Sequence, residues 1–277
     1  MQVGLDISQH QLTWDEILRR ACFAEEAGFD GAWVFDHFTP LYGDRNGPCL
    51  EGWTLLAALA AATSRIRLGN LVTGVTYRHP SLLATEAITV DHVSHGRLDL
   101  GLGAAWHANE HRELGFDFPP PRERIERLDE AIQVVRLLMT RDHAAFQGRY
   151  YTLRDASYHP RPVQRPHPPI WIGGGGEQLM LPLVARQADV WHAFGPLDAL
   201  ERKSRIIDEH ARRAGRDPTS IRRSTGLSLS QSWDAVRRTA EALGRAGFSY
   251  LTVSWPSEGR ARLEEFAAGY LPELRAL

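Results

Sequence analysis

The stretch DLGLGAAWHANEHRELGFDFPPPRERIERLDEAI, Asp99 to Ile132, reads as strand, polar loop and helix start, in that order. Leu98 to Leu102 is a short apolar run closed by Gly101 and Gly103, the signature of a buried strand. The loop beyond it gathers Trp106, His107, Asn109, Glu110 and His111 ahead of a proline stop at Pro119 to Pro121. Loops so loaded carry function. From Arg124 to Met139 the residues Ile125, Leu128, Ile132, Val135 and Met139 fall on one helical face. A second segment, PPIWIGGGGEQ at Pro168 to Gln178, repeats the design with four glycines between an apolar strand and a helix-forming stretch.

The same alternation runs along the whole chain. Strands are expected at Val3–Ile7, Gly31–Phe35, Ile66–Val72, Leu98–Leu102, Pro169–Ile172, Val190–Ala193, Ser224–Leu229 and Tyr250–Ser254. Helical stretches fall between them, among them Trp14–Ala27, Leu55–Ala62, Ser81–Ser94 and Leu200–Ala214. Thr13 and Ser232 stand where N-caps belong, each with acids in the turn that follows. Eight strands each followed by a helix, with no break in composition, predict an α/β fold of the (β/α)₈ TIM-barrel type rather than a doubly wound sheet. Residues 1–277 are read as a single barrel domain. Two connections are too long for simple turns: Ala104–Pro121 after strand four, and Arg141–His167 before strand five. Both are read as insertions, the second with a hairpin about Gly148 in FQGRYYTL.

Composition narrows the partners. With 32 basic and 34 acidic residues among 277 the formal charge is -2, so no global field draws nucleic acid or an anionic membrane. A small-molecule partner is expected. No apolar run approaches the length of a membrane span, and MQVGLDISQH lacks the basic-then-apolar pattern of a leader, which points to the cytoplasm. Cys22 and Cys49 show no metal-ligand spacing, and no H-x-H pair marks strand one, so no metal is expected. The only lysine is Lys203, in a helical stretch beside Glu201, Arg202 and Arg205. That reads as a charged outer face and argues against Schiff-base chemistry.

In a parallel barrel the site forms where strands end. After strand two come Asp36, His37 and Phe38, an acid and an imidazole able to hold a polar ring edge and supply a proton. After strand three, Thr73-Gly74 break the run NLVTGVTYRHP as either a bulge or a plain turn. After strand five, Gly173, Gly174, Gly175 and Gly176 leave backbone N–H groups unshielded at a helix start, a setting for phosphate. Pro182 requires that this helix, sought over Glu177–Gln187, begin near Leu179. Trp106 suits stacking on a flat ring or packing beneath the insertion.

Four segments carry a family resemblance: AWVFDHF (Ala32–Phe38), LGNLVTGVTYRHP (Leu68–Pro80), GRLDLGLGAAWHANEHRELGFDFP (Gly96–Pro119), and PPIWIGGGGE (Pro168–Glu177) with ARQADVW (Ala185–Trp191). From GLDIS to LPELRAL the chain resembles the luciferase-like monooxygenases. Asp-His after strand two is similar to the branch that uses the deazaflavin coenzyme F420, whereas users of flavin mononucleotide (FMN) more often carry a glutamate there. An FMN-dependent monooxygenase is the alternative. The resemblance implies a (β/α)₈ barrel with the tricyclic ring in its mouth and the phosphate on Gly173–Gly176. It implies Asp36 at the ring edge and His37 as the catalytic proton donor. It further implies a cis peptide between Leu71 and Val72 behind the ring, Thr73 beside it, and cofactor contacts from Ala104, Ala105 and Asn109. The sugar-phosphate dehydrogenases of that branch carry a glutamate base where this chain has Trp106, so hydride transfer to or from another small organic substrate is expected. Substrate and direction stay open, and a homodimer is allowed.

Overall fold

Leu98–Gly103 forms a strand buried at every position, as a parallel strand must be when it lies between barrel interior and outer helices. A computed structural model describes Met1–Ala276; Leu277, the last residue of the expected domain, lies outside the described residues. In chain order the elements are β1 (Gln2–Asp6), α1 (Trp14–Glu26), β2 (Gly31–Val34), α2 (Gly52–Ala62), β3 (Arg67–Asn70), β4 (Thr73–Gly74), α3 (Pro80–Val93), β5 (Leu98–Gly103), α4 (Ala108–Leu114) and α5 (Pro121–Thr140). There follow β6 (Ala144–Gln147), β7 (Thr152–Ala156), β8 (Ile170–Gly173), α6 (Met180–Gln187), β9 (Val190–His192), α7 (Leu197–Arg213), β10 (Arg222–Gly226), α8 (Trp233–Arg245), β11 (Phe248–Ser254), α9 (Arg260–Gly269) and α10 (Leu271–Ala276).

The main sheet runs β3-β2-β1-β11-β10-β9-β8-β5, and β3 pairs with β5 to close it. All its pairings are parallel. The short β4 continues the line of β3 and pairs with β5 at Thr73↔Leu102. This is the expected (β/α)₈ barrel, with a strand at each of the eight expected places. The insertion after strand four holds α4, and the segment before strand five holds the antiparallel pair β6–β7.

Some boundaries shift for local reasons. α2 starts at Gly52 rather than Leu55 because the Glu51 carboxylate accepts the N–H groups of Trp53 and Thr54 (3.0 and 2.7 Å). α6 starts at Met180, which puts Pro182 in the first turn, where its missing N–H costs no helical bond. Thr13 caps α1 by accepting from Glu16 N–H, but Ser232 makes no side-chain cap at α8.

The barrel floor is filled by aromatics. Trp33, Trp171 and Tyr250 pack together in the interior with Val190, and Trp33 Nε1 donates to the Tyr250 hydroxyl at 3.0 Å. Glycine on neighbouring strands makes the room: a Cβ on Gly4 or Gly69 would come within 2.4 Å of Trp33. Rings of this size bury roughly 150–250 Å² each. The plug separates a cavity at the strands' N-terminal ends, lined by Gln2, Arg67, Asp99 and Arg222, from the open space at their C-terminal ends, and Leu71 packs against it.

Candidate active site

The chain leaves β3 at Asn70 and resumes pairing only at Thr73, and the Leu71–Val72 peptide between them is cis. The break is an irregular strand end rather than a plain turn. The Val72 side chain occupies the space above two glycines, since a Cβ on Gly103 or Gly173 would meet it at 2.6 or 2.9 Å. Beside this step lies a cavity of about 450 Å³. One wall is Leu71–Gly74 with Asp36 and His37; another is Gly103, Ala104, Ala105 and Trp106. Gly173, Gly174 and Gly175 form the far end, together with Met180, Phe194 and Lys203. A second cavity, about 680 Å³, adjoins it and shares Phe35, His37, Leu71, Trp106 and Phe194. Asp6, Ser8, His10, Ser228–Ser230 and Trp255–Glu258 bound that one.

His37 stands at the junction. Asp36 and His37 are held by different partners, Arg78 and Glu110, so they do not act as a pair. The carboxylate that serves His37 is Glu110, from the first turn of α4, at 2.8 Å from Nδ1. Glu110 is 0% exposed and also accepts from Tyr77 Oη (2.6 Å), Phe38 N (2.8 Å), and Thr39 N and Oγ1 (3.0 and 3.2 Å). Burial alone would raise its pKa, but the bonds from His37, Tyr77 and Phe38 bring it down to about 2. A carboxylate held ionised has no proton to give, so the Nδ1 hydrogen belongs to His37 and Nε2 is the nitrogen free for other work.

Asp36 belongs to a different network. It receives Arg78 Nη1 and Nη2 at 2.5 and 3.1 Å and Gly74 N–H at 3.2 Å. Burial pushes its carboxyl upward and the Arg78 guanidinium pulls it back. Arg78 also reaches Glu51 and Glu86. The ion pair ties the end of β2 to the turn after β4, and so fixes the cavity wall.

In the larger cavity, burial raises the Asp6 carboxyl to about 6 against a bond from Ser8 N–H. His10 stacks on Phe35 at 4.0 Å, and burial with nearby His37 lowers its pKa to about 4. It is therefore neutral, and its Nδ1 accepts Leu41 N–H at 3.0 Å.

The structure gathers Asp36, His37, Leu71, Val72, Thr73, Ala104, Ala105, Gly173, Gly174 and Gly175 around the smaller cavity. Gly176 and Asn109 line neither cavity; Asn109 sits exposed on the first turn of α4, because the helical twist that sends Glu110 inward turns its neighbour out. Trp106 is 64% exposed and stands at the rim rather than beneath the insertion. Glu110 and Arg78 were visible in sequence only as polar residues near strand ends. Lys203 departs most from expectation. It lines the cavity instead of joining an outer charged face, because α7 turns that side of its first turns towards the glycine run.

A closed parallel barrel with two joined cavities at the C-terminal mouth, met by a histidine on a buried carboxylate, defines a ligand-binding barrel of the enzyme type. A family model for luciferase-like monooxygenases matches residues 1–273, and the chain belongs to that family. It is 35% identical over 190 residues to an F420-dependent glucose-6-phosphate dehydrogenase of Amycolatopsis mediterranei, covering 68% of this chain and 54% of that one. It is 32% identical over 244 residues to an F420-dependent hydroxymycolic acid dehydrogenase of Mycobacterium tuberculosis, covering 88% and 66%. The chain thus spans about half the length of the glucose-6-phosphate dehydrogenases it matches. Among solved structures, an F420-dependent secondary alcohol dehydrogenase in complex with an F420-acetone adduct shares the fold with a TM-score of 0.85 at 21% identity, over 96% of this chain and 97% of that one. A coenzyme F420-dependent tetrahydromethanopterin reductase from Methanopyrus kandleri does so at 0.82 and 19%, over 99% of each.

Proposed function

We propose that this chain is a coenzyme F420-dependent oxidoreductase that moves a hydride between the deazaflavin and a small uncharged alcohol or carbonyl compound, in one barrel domain working in the cytoplasm. The observation that carries this reading is the placement of His37 at the junction of two cavities, one suited to a cofactor and one to a substrate. The smaller cavity fits a flat polycyclic ring with a phosphate tail. Its lining includes Gly103, Gly173, Gly174, Gly175, Ala104 and Ala105, small residues that leave backbone exposed to the cavity, and the N–H group of Gly175 donates to no acceptor among the described residues. Leu71, Val72, Thr73, Ala104 and Ala105 would hold the ring, and Gly173–Gly175 the phosphate. When bound, F420 supplies a two-electron hydride carrier that does not activate dioxygen.

The rest of the chemistry belongs to the chain. Glu110 orients His37, so that Nε2 takes the proton from an alcohol on oxidation or returns it to a carbonyl oxygen on reduction. Trp106 and Phe194 flank the junction. The larger cavity is lined by the carboxyl groups of Asp6 and Glu258, by His10 and His37 and by serine hydroxyls, with no lysine or arginine. It offers a phosphate no ammonium or guanidinium group, which supports an unphosphorylated substrate.

Cofactor titration tests the reading. Tight binding of F420 with weak binding of FMN is the expected result, followed by reduction of bound F420 by a panel of secondary alcohols. Preference for FMN, with oxygen uptake by the reduced protein, would replace it with a flavin-dependent monooxygenase.

A further inference from the structure

We propose that Lys203, the chain's one lysine, is the cationic clamp for the cofactor's phosphate, closing over Gly173–Gly176 from the opposite side and thereby setting which way round the cofactor enters. The inference rests on the reading of the smaller cavity as a phosphorylated-cofactor site, but not on whether the ring is a deazaflavin or a flavin.

Lys203 extends from α7 back across the barrel mouth. A Cβ on Gly175 would lie 2.6 Å from its Nζ, so the ammonium rests against bare backbone that any larger residue would occupy. It is half-buried and makes no hydrogen bond or ion pair among the described residues. The acid best placed to neutralise it is engaged elsewhere: Glu177, directly after the glycine run, is paired with Arg202 at 2.6 Å. The run itself is pinned, with Gly174 N–H donating to His192 O at 3.0 Å and Gly174 O accepting from Trp191 Nε1 at 2.8 Å. The N–H groups of Gly175, which lines the cavity, and of Gly176, just beyond it, meet no acceptor among the described residues. The unpartnered polar groups around the run are the Lys203 ammonium, the Gly175 and Gly176 amides and His192 Nε2, a buried ring nitrogen in the lining of the same cavity. An ammonium and free amides brought together suit an anion with several oxygens, and a phosphate ester offers them. The other end of the joined cavities carries Asp6 and Glu258, which repel an anion. The cofactor therefore enters with its phosphate at Lys203 and its ring towards His37.

The probes are F420 and its phosphate-free riboside, titrated by fluorescence into wild type, Lys203→Ala and Lys203→Arg, with thermal melts confirming the fold. Lys203→Ala is expected to bind F420 at least tenfold more weakly, with a shallower salt dependence, while affinity for the riboside stays within twofold. Lys203→Arg should recover part of the loss. Gly175→Ala should reproduce it by displacing the ammonium. Unchanged F420 affinity, or an equal loss for F420 and riboside, overturns the clamp. If wild type prefers FMN, the same comparison is made with FMN and riboflavin: a phosphate-selective loss there upholds the clamp while the deazaflavin reading fails. Failure of wild type to favour either phosphorylated form over its riboside overturns the clamp outright.

Discussion

Glu110 and His37 lie 73 positions apart in sequence and 2.8 Å apart in space. If Glu110 acts by orienting His37, the two must behave as a unit. His37→Ala is expected to lower kcat by ~100-fold while F420 still binds. Glu110→Gln should cost less, roughly tenfold, and the double variant should be no worse than His37→Ala alone, the non-additivity expected of residues sharing one step. Multiplicative losses would show that Glu110 serves the fold rather than the histidine. Sequence alone put His37 at the barrel mouth, where it lines both cavities, because it follows directly after a barrel strand. It could not find the partner. The acid adjacent in sequence, Asp36, is committed to Arg78, and only the folded insertion brings α4 back over β2.

At the scale of elements, the break between β3 and β4 shapes the site, and glycines in its neighbours permit it. Val72 fills the space that a Cβ at Gly103 would need, with the atoms 2.6 Å apart. Gly103→Ala should therefore destabilise by about 1–3 kcal/mol through overpacking. Val72→Ala removes the obstructing methyl groups, so the double variant should regain part of the loss in a chemical-denaturation cycle. Simple addition of the two costs would mean that Val72 and position 103 do not compete for space. The glycine-rich strand ends in GLGAA and IGGGG were legible as candidate cavity walls because each follows a barrel strand, a glycine run by itself being equally the mark of a flexible loop. The identity of most strands and of the long helices was legible, since most strands are apolar runs bounded by turn residues, but α4 lay in a stretch read as a loop and β10 begins two residues early on Arg222-Arg223. What escaped was set by tertiary packing. The inward face of α7 is one example: helical spacing put Lys203 on a charged stripe, and only the neighbouring glycine run decides that this stripe borders the cavity.

For the whole molecule, closure of the barrel was legible from the regular alternation of eight units, and it confines polar groups whose ionisation then couples to stability. His192, at the end of β9, is buried with Nδ1 on Ser224 Oγ at 2.9 Å, and burial lowers its pKa to about 4 from 6.5. Between those values the unfolded chain takes up a proton that the folded chain refuses. Stability contributed by the neutral histidine is complete above pH 6.5 and is lost as pH falls towards 4, by roughly 3 kcal/mol at full effect. Asp6 works in the opposite sense. Its folded pKa, about 6, lies above the ordinary 3.8, so between pH 6 and 3.8 the folded chain is the better proton acceptor and gains stability on acidification. Melting temperatures measured from pH 7 to pH 4 should consequently fall less steeply in His192→Asn than in wild type, and more steeply in Asp6→Asn. Because the two residues sit on different strands and share no partner, a double variant should follow the sum of the two changes in slope. Curves for both single variants running parallel to wild type would show that neither group keeps its shifted ionisation in the folded barrel.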